Sequence, residues 1–336
     1  DAEASNSPPV QHPGDVPPAS KPPAVLFSTS SPPADLVSAL SDLVTLTVVS
    51  KEDAALYLTK SSPEITAQVL SSFAVVVVDT DTLLPSRVLS KIHRDGSMGS
   101  LRFLVVPSSQ PYSLGHSLNV HDTASAVSAL TTGSMLSIDY LTCTPDSEPQ
   151  APHVALNAVE FGTSAQSFRP SLSSALCSPP PLLTASMDVK DYDYDDHTFH
   201  TLINGPDQRA LFTGSSTELS LLSVHKSVHS PSTGLPIALN CKVNDGKLDM
   251  VVVTSQSAMK TRALMTRAEK FAHNPAKRWY SNRPTVLYLK PEEVSVKVSN
   301  SHQVYVDGNG TALGDAASVK ISCVPGLRAY ALPNPT

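Results

Sequence analysis

Groups that hold a charge, a proton or a metal are sparse in this chain of 336 residues, where Asp, Glu, Lys and Arg make up 16%. One concentration of them begins where an apolar run, Ala74–Val78, stops abruptly at Asp79-Thr80-Asp81-Thr82. A buried-type strand that ends in small polar residues commonly feeds a ligand-binding loop. If that loop is to wrap a phosphate it needs glycines, which let backbone N–H groups approach the anion through dihedrals closed to other residues. Residues 79–83 contain no glycine. The plainer role for Asp81 or Thr82 is to cap a following helix.

Two further charge clusters invite chemistry. In the run DVKDYDYDDHTFH, residues 188–200, Asp191, Asp193 and Asp195 alternate as at the start of a calcium loop. The sixth position is Asp196 where a glycine is needed, and the twelfth is Leu202 where a glutamate is needed, so calcium binding by that route fails. The run reads better as a strand or hairpin edge blunted by charge. His197 and His200 beside these acids are the residual metal candidates, and no metal site is expected. The segment 258–283 is the opposite: seven basic residues and one acid, leaving 17 basic against 29 acidic residues in the remainder. Lys260, Arg262, Arg267, Lys270, Lys277, Arg278 and Arg283 could meet RNA phosphates, an anionic membrane or an acidic protein, with Trp279 and Tyr280 as stacking surface. The bland reading is a solvated helix face and loop. P-loop, dinucleotide, G-x-S-x-G and H-E-x-x-H motifs are absent from the sequence.

Composition narrows the classes. Hydrophobic residues are 40% of the chain, enough for globular cores, and the length allows two domains. The longest apolar runs are far shorter than the roughly 20 residues that span a bilayer. A net charge of −6 argues against a general nucleic-acid binder. The four cysteines, Cys143, Cys177, Cys241 and Cys323, form no C-x-x-C pair and read as buried thiols of a reducing compartment. The chain begins at Asp without a basic and apolar leader, which points either to a removed targeting segment, as in an organelle protein, or to a trimmed start.

The elements that would position these residues fall into two sets. Residues 1–23 carry seven prolines and little that packs, so they are expected to be an extended tail laid on a partner's surface. From Ala24, strand-like and helical stretches alternate: AVLFS, PADLVSALSDL, VTLTVVS, the helical EDAALYL and PEITAQVLSSF, AVVVV, PSRVLSKIHR, LRFLVVP, and ASAVSALTTG closed by Gly133 before MLSIDYLTCT. That alternation predicts an open, largely parallel α/β sheet over 24–145. After the linker-like TPDSEPQAP come HVALNAVEFG, LPIALNCKV, KLDMVVVTS, PTVLYLK, EEVSVKVS, HQVYVDG and SVKISCVP, with turn signals at Asn244-Asp245-Gly246, Asn300-Ser301 and Asp307-Gly308. These predict an antiparallel β-sandwich over 146–333, with one basic helical insertion at 256–283.

Taken together, these stretches resemble the diacylglycerol kinase and sphingosine kinase superfamily, and more distantly NAD kinases, over residues 24–333. NDGKLDMVVVTS (244–255) is similar to the family's DG-x-LD strand pair, and VYVDGNG…SVKISCVPGLRAYAL (304–331) to its DGE-containing ending. FLVVPSSQPYSLGHSLNV (103–120) and TTGSMLSIDYLTC (131–143) resemble the family's P-x-GTGND segment and the strand after it. The resemblance implies a Rossmann-like α/β domain followed by a β-sandwich, with a nucleotide site between motifs. In this chain those motifs are altered. The family's Gly-Gly-Asp-Gly-Thr becomes Asp79-Thr80-Asp81-Thr82-Leu83. Thr80 and Thr82 tolerate positive φ poorly. Asp79 adds a like charge where polyphosphate would sit, worth roughly 4 kcal/mol per unit pair at about 4 Å and an effective dielectric near 20. The family's Gly-Thr-Gly-Asn loop becomes Ser109-Gln110-Pro111-Tyr112, in which Pro111 has no N–H and a fixed φ. The acid of Asp-Gly-Glu becomes Asn309, which is no base at neutral pH.

No catalytic or cofactor-binding residue is therefore expected. The reading is a lipid-kinase-like pseudoenzyme that serves as a structural subunit of a large assembly. A mitochondrial assembly is favoured, and first a mitochondrial ribosome or its assembly intermediate. Its expected partners are other protein subunits and, through 258–283, rRNA. The alternatives are an active diacylglycerol or sphingoid-base kinase using Asp81 with ATP and Mg²⁺, and a lipid- or nucleotide-binding regulatory module, with the cytoplasm as the other location.

Overall fold

The computed structural model describes residues 21–27, 34–49, 75–79, 89–90, 92–94, 96, 98–106, 114–147, 152–161, 183–190, 193–194, 216–231, 234–254, 258–271, 285–298, 304–307, 309–311 and 318–333. The tail through residue 20, the two helices expected within 51–74 and the Asn300-Ser301 turn lie outside the described residues.

The first unit is parallel. It comprises β1 (Pro23–Phe27), α1 (Ala34–Leu43), β2 (Thr45–Val49), β3 (Val75–Asp79), β4 (Arg102–Val106), α2 (Leu114–Ser117) and α3 (Thr123–Thr132). The strands lie side by side in the order β2-β1-β3-β4, all parallel, with Val25 opposite both Thr47 and Val76, and Val76 opposite Phe103. Parallel strands are covered on both faces and so read as continuous apolar runs. Accordingly Ala24, Val25, Leu26 and every residue from Phe103 to Val106 are buried. Leu36 and Leu40, one turn apart on α1, and Ala126 and Ala129 on α3 enter the same core. Asp122 starts α3 with a reciprocal cap: its carboxylate accepts from Ser125 N at 2.7 Å, while its own N–H donates to Ser125 Oγ at 2.8 Å.

The second unit is antiparallel. After β5 (Ser134–Pro145) come β6 (His153–Ala155), β7 (Ala158–Phe161), β8 (Leu183–Lys190), β9 (Asp193–Tyr194), β10 (Thr217–His225) and β11 (Asp249–Thr254). Helix α4 (Ala258–Phe271) intervenes before β12 (Val286–Lys290), β13 (Glu293–Val298), β14 (Val304–Val306), β15 (Asn309–Thr311) and β16 (Ser318–Ala331). One layer runs β8-β13-β16-β5-β6 and the other β15-β14-β7-β10-β11-β12-β9. Alternate residues of both, among them Val159, Leu222, Val252, Leu287, Val294 and Ile321, meet in a shared core. The other face of the second layer is covered by α4, whose Thr261, Leu264, Met265 and Ala268 fall on one helical stripe. Leu264, Met265 and Ala268 pack with Val251, Val253, Val286 and Tyr288.

Three features depart from the sequence reading. The stretch LPIALNCKV is not a strand: it makes one isolated bridge, His229 with Pro236, and then turns. Pro236 removes a ladder donor, and Ile237 and Ala238 are buried in the core under α4 rather than in the sandwich. HVALNAVEFG is two strands broken at Leu156-Asn157. The boundary drawn at 145 is crossed by the C-terminus. Strand β16 pairs with β5 along its length, bulges between Val324 and Leu327, and then lies parallel to β4, with Arg328 opposite Arg102. Gly326, with φ of +102°, makes the bend.

Candidate functional site

Parallel sheets carry their ligands beyond the carboxyl ends of the strands, at the point where strand order reverses. Here that point lies between β1 and β3, whose last residues are Phe27 and Asp79. Asp79 pairs with Val106 of β4, so the sequence places an acid at the mouth of this crevice. Thr80, Asp81 and Thr82, together with Ser109, Gln110, Pro111 and Tyr112, lie outside the described residues.

The third motif position is described. Asp307 follows β14 at its turn into β15, with Val306 opposite Asn309. Asp307 sits at φ +49°, the left-handed conformation such a turn requires. Its carboxylate does structural work. Oδ2 accepts from Leu156 N at 2.8 Å, and Oδ1 accepts from Asn157 N at 2.7 Å and Ala158 N at 3.0 Å. Its own N–H donates to Ala158 O at 2.9 Å. Burial raises its pKa, against the pull of these three amides. Asn157 passes the connection on: its Oδ1 accepts from Leu114 N at 2.7 Å, at the start of α2. Sequence inspection overlooked Asn157, whose signal was a polar residue inside HVALNAVEFG.

A second buried polar cluster lies where β5, the end of β10 and the 243–247 turn meet. Lys226, fully buried, donates through Nζ to Asp139 Oδ2 at 3.1 Å, Asp245 Oδ1 at 2.9 Å and Lys247 O at 2.7 Å. Lys290 Nζ reaches Asp245 Oδ2 at 2.6 Å and Asp249 Oδ1 at 3.4 Å, and the Tyr288 hydroxyl donates to Asp249 Oδ1. Burial disfavours the charge on Lys226, but its acidic surroundings outweigh that and hold its pKa above the usual lysine value. Burial likewise works against the Asp245 carboxylate, and the two ammonium groups overcome it and lower its pKa. Asp249 is raised, by burial first. The signal in the sequence was an isolated charge in each of two apolar runs, SIDYL and SLLSVHKSV.

Lys260, Arg262, Arg267 and Lys270 all lie on α4, with Lys260 and Lys270 exposed and Arg267 half-buried. Lys277, Arg278, Trp279, Tyr280 and Arg283 lie outside the described residues, as do His197 and His200. Of the acidic run, Asp193 and Tyr194 form β9, which pairs with Leu289 and Lys290 at the end of its layer. Cys143 is buried, but Cys241 and Cys323 are partly exposed, a correction to the expectation of four buried thiols. Their exposure follows from position, Cys241 in a turn region and Cys323 beside the β16 bulge. Cys177 lies outside the described residues. Among the described residues no three His, Cys, Asp or Glu side chains converge as a metal site. No described helix is long and apolar enough to cross a membrane.

A parallel α/β unit tied by a shared C-terminal strand to an antiparallel sandwich defines the class: the fold is that of the diacylglycerol kinases. A putative diacylglycerol kinase from Bacillus anthracis str. Sterne matches with a TM-score of 0.57 at 15% identity, covering 93% of this chain and 98% of that one. Another structure described as a diacylglycerol kinase from the same organism matches at 0.56 and 14%, covering 93% and 97%. Yeast NADH kinase complexed with NADH aligns at 0.47 and 11%, over 94% of this chain and 85% of the other. No protein-family model matches the chain, and no curated protein does. At such identities the likeness is one of fold.

Proposed function

We propose that this chain is a non-catalytic protein on a lipid-kinase fold, acting as a structural subunit of a larger assembly. The observation that carries the reading is the fate of the Asp307 turn. Both oxygens of Asp307 are engaged by main-chain N–H groups. Two residues on stands Asn309, an amide that can neither take up a proton at neutral pH nor bind Mg²⁺ as a carboxylate does. The glycine-free sequences at 79–83 and 109–112 support the same conclusion, since both leave nucleotide phosphates without a backbone cradle. By residue type alone, these motif positions do not suit Mg-ATP. For the assembly, the basic segment 258–283 in an otherwise acidic chain favours an RNA-containing particle, a mitochondrial ribosome or its precursor first.

Two measurements test this. Purified protein incubated with labelled ATP, Mg²⁺ and diacylglycerol or sphingosine should transfer no label and show no Mg-ATP thermal shift. Transfer of label to either lipid would overturn the reading in favour of a kinase using Asp81. Tagged protein from an organelle lysate should sediment with a ribosome-sized particle that collapses on ribonuclease treatment. Sedimentation as a free species of 35.5 kDa would remove the assembly from the argument.

A further inference from the structure

The ammonium of Lys226 has three N–H donors and meets three oxygens: Asp139 Oδ2 at 3.1 Å, Asp245 Oδ1 at 2.9 Å and Lys247 O at 2.7 Å. Two carboxylates and a carbonyl are the donor set by which proteins hold hard cations such as Mg²⁺ and Ca²⁺. The enclosure is built. Asp245 and Lys247 approach from a single turn, shaped by Gly246 at φ +71°. Gly246 N donates to Asp139 Oδ2 at 2.7 Å, fixing the oxygen that faces the ammonium. Asp139 N donates to Val243 O at 2.6 Å, and Val243 packs against the core of the first unit. The 243–247 turn is therefore fastened to β5 beside the bend of β16, where the parallel and antiparallel units join. Lys226 itself arrives from the end of β10 in the second unit, with Lys226 N donating to Asn157 O at 2.7 Å.

We propose that Asp139, Asp245 and the Lys247 carbonyl form a cation-binding cage that Lys226 fills from within, so that the protein carries its own cation to fasten this turn. Without the ammonium, Asp139 would be a buried carboxylate with no cation of its own. Asp245 would keep only Lys290, and the turn would be held to β5 by the Gly246 N–H and Asp139 N–H bonds alone. The cage should then take a free cation of matching chemistry: a small divalent ion, or methylammonium, which reproduces the lysine's terminal group. The inference stands apart from the reading of the chain as non-catalytic, because none of these groups belongs to the altered nucleotide motifs.

The test compares thermal unfolding of the full chain with Lys226→Ala and Lys226→Met. Each is measured in EDTA and with millimolar Mg²⁺, millimolar Ca²⁺ or methylammonium. The wild type should unfold at one midpoint in all four conditions. Lys226→Ala should lose on the order of 10 °C, as expected for breaking a buried charge pair in a chain of this size. It should regain at least half of that with one or more of the three cations. Lys226→Met should lose as much and regain nothing, because its side chain fills the space without charge. A Lys226→Ala protein indifferent to all three cations, or a Lys226→Met protein as stable as wild type, overturns the proposal. If Lys226→Ala does not fold, the wild type labelled with ¹⁵N-lysine decides. A caged ammonium gives a resonance whose protons exchange with water far more slowly than those of exposed lysines, and its absence overturns the cage.

Discussion

Replacing Asp307 tests whether the fold depends on the turn that the family resemblance had assigned to chemistry. Its carboxylate satisfies the N–H groups of Leu156, Asn157 and Ala158, all in buried residues. Asp307→Ala strands these donors, and an unmet buried donor costs about 1–3 kcal/mol. Three neighbours are not additive. Alanine at φ +49° adds about 1 kcal/mol of backbone strain. Together these give a loss of about 4 kcal/mol. Asp307→Asn is milder. Its carbonyl oxygen can still serve Asn157 and Ala158, and asparagine tolerates the left-handed region. Its amide nitrogen then faces the N–H of Leu156, donor against donor, at about 2 kcal/mol. Urea unfolding followed by circular dichroism measures both. An Asp307→Ala protein within about 1 kcal/mol of wild type, or an Asp307→Asn protein less stable than Asp307→Ala, refutes the assignment of Asp307 as a structural anchor.

Gly133 offers a second check. A Cβ there would lie 2.3 Å from Ala129 O and 2.7 Å from Ala331 O, both main-chain atoms, so Gly133→Ala should destabilise by about 2 kcal/mol or more in the same unfolding assay. A neutral result would mean that the carbonyls relax. His225 governs part of the acid response. Burial, reinforced by His229, pushes its pKa down to about 3 from an ordinary value near 6.5. The folded protein holds it neutral while the unfolded chain takes up a proton, so its share of stability is lost as pH falls from about 6.5 toward 3, at up to about 1.4 kcal/mol per unit. His225→Gln should flatten the stability slope between about pH 6.5 and about pH 4.5, read from urea midpoints. An unchanged slope would show that His225 is not held neutral.

Much of the architecture was legible in the chain because both sheet types write themselves into local pattern. The apolar runs at 24–27 and 103–106 announce strands covered on both faces, and the alternation in EVSVKV announces a strand with one face in the core. Asp307-Gly308 announced a two-residue hairpin turn, and Gly133 announced the end of α3. The reason for that last glycine was not legible. Its φ is −70°, an ordinary value, and what excludes a side chain is the approach of Ala129 O and Ala331 O. One of those carbonyls belongs to a strand almost 200 residues further on.

The sequence by itself determined most of the strands and helices among the described residues, and the loss of glycine from the segments that would cradle phosphate. Each of these depends on neighbours in the chain, and local backbone preference is enough to write them. Only the tertiary structure decided that β16 belongs to both sheets, that Asp307 is consumed by main-chain amides, and that Lys226 meets Asp139, Asp245 and the Lys247 carbonyl. These arrangements join positions from 19 to over 200 residues apart, as Lys226 with Asp245 and Arg328 with Arg102 illustrate. A buried charge or a long strand finds its partner by excluding water from both, and that requirement is set by the packing of the whole molecule, not by the residues on either side.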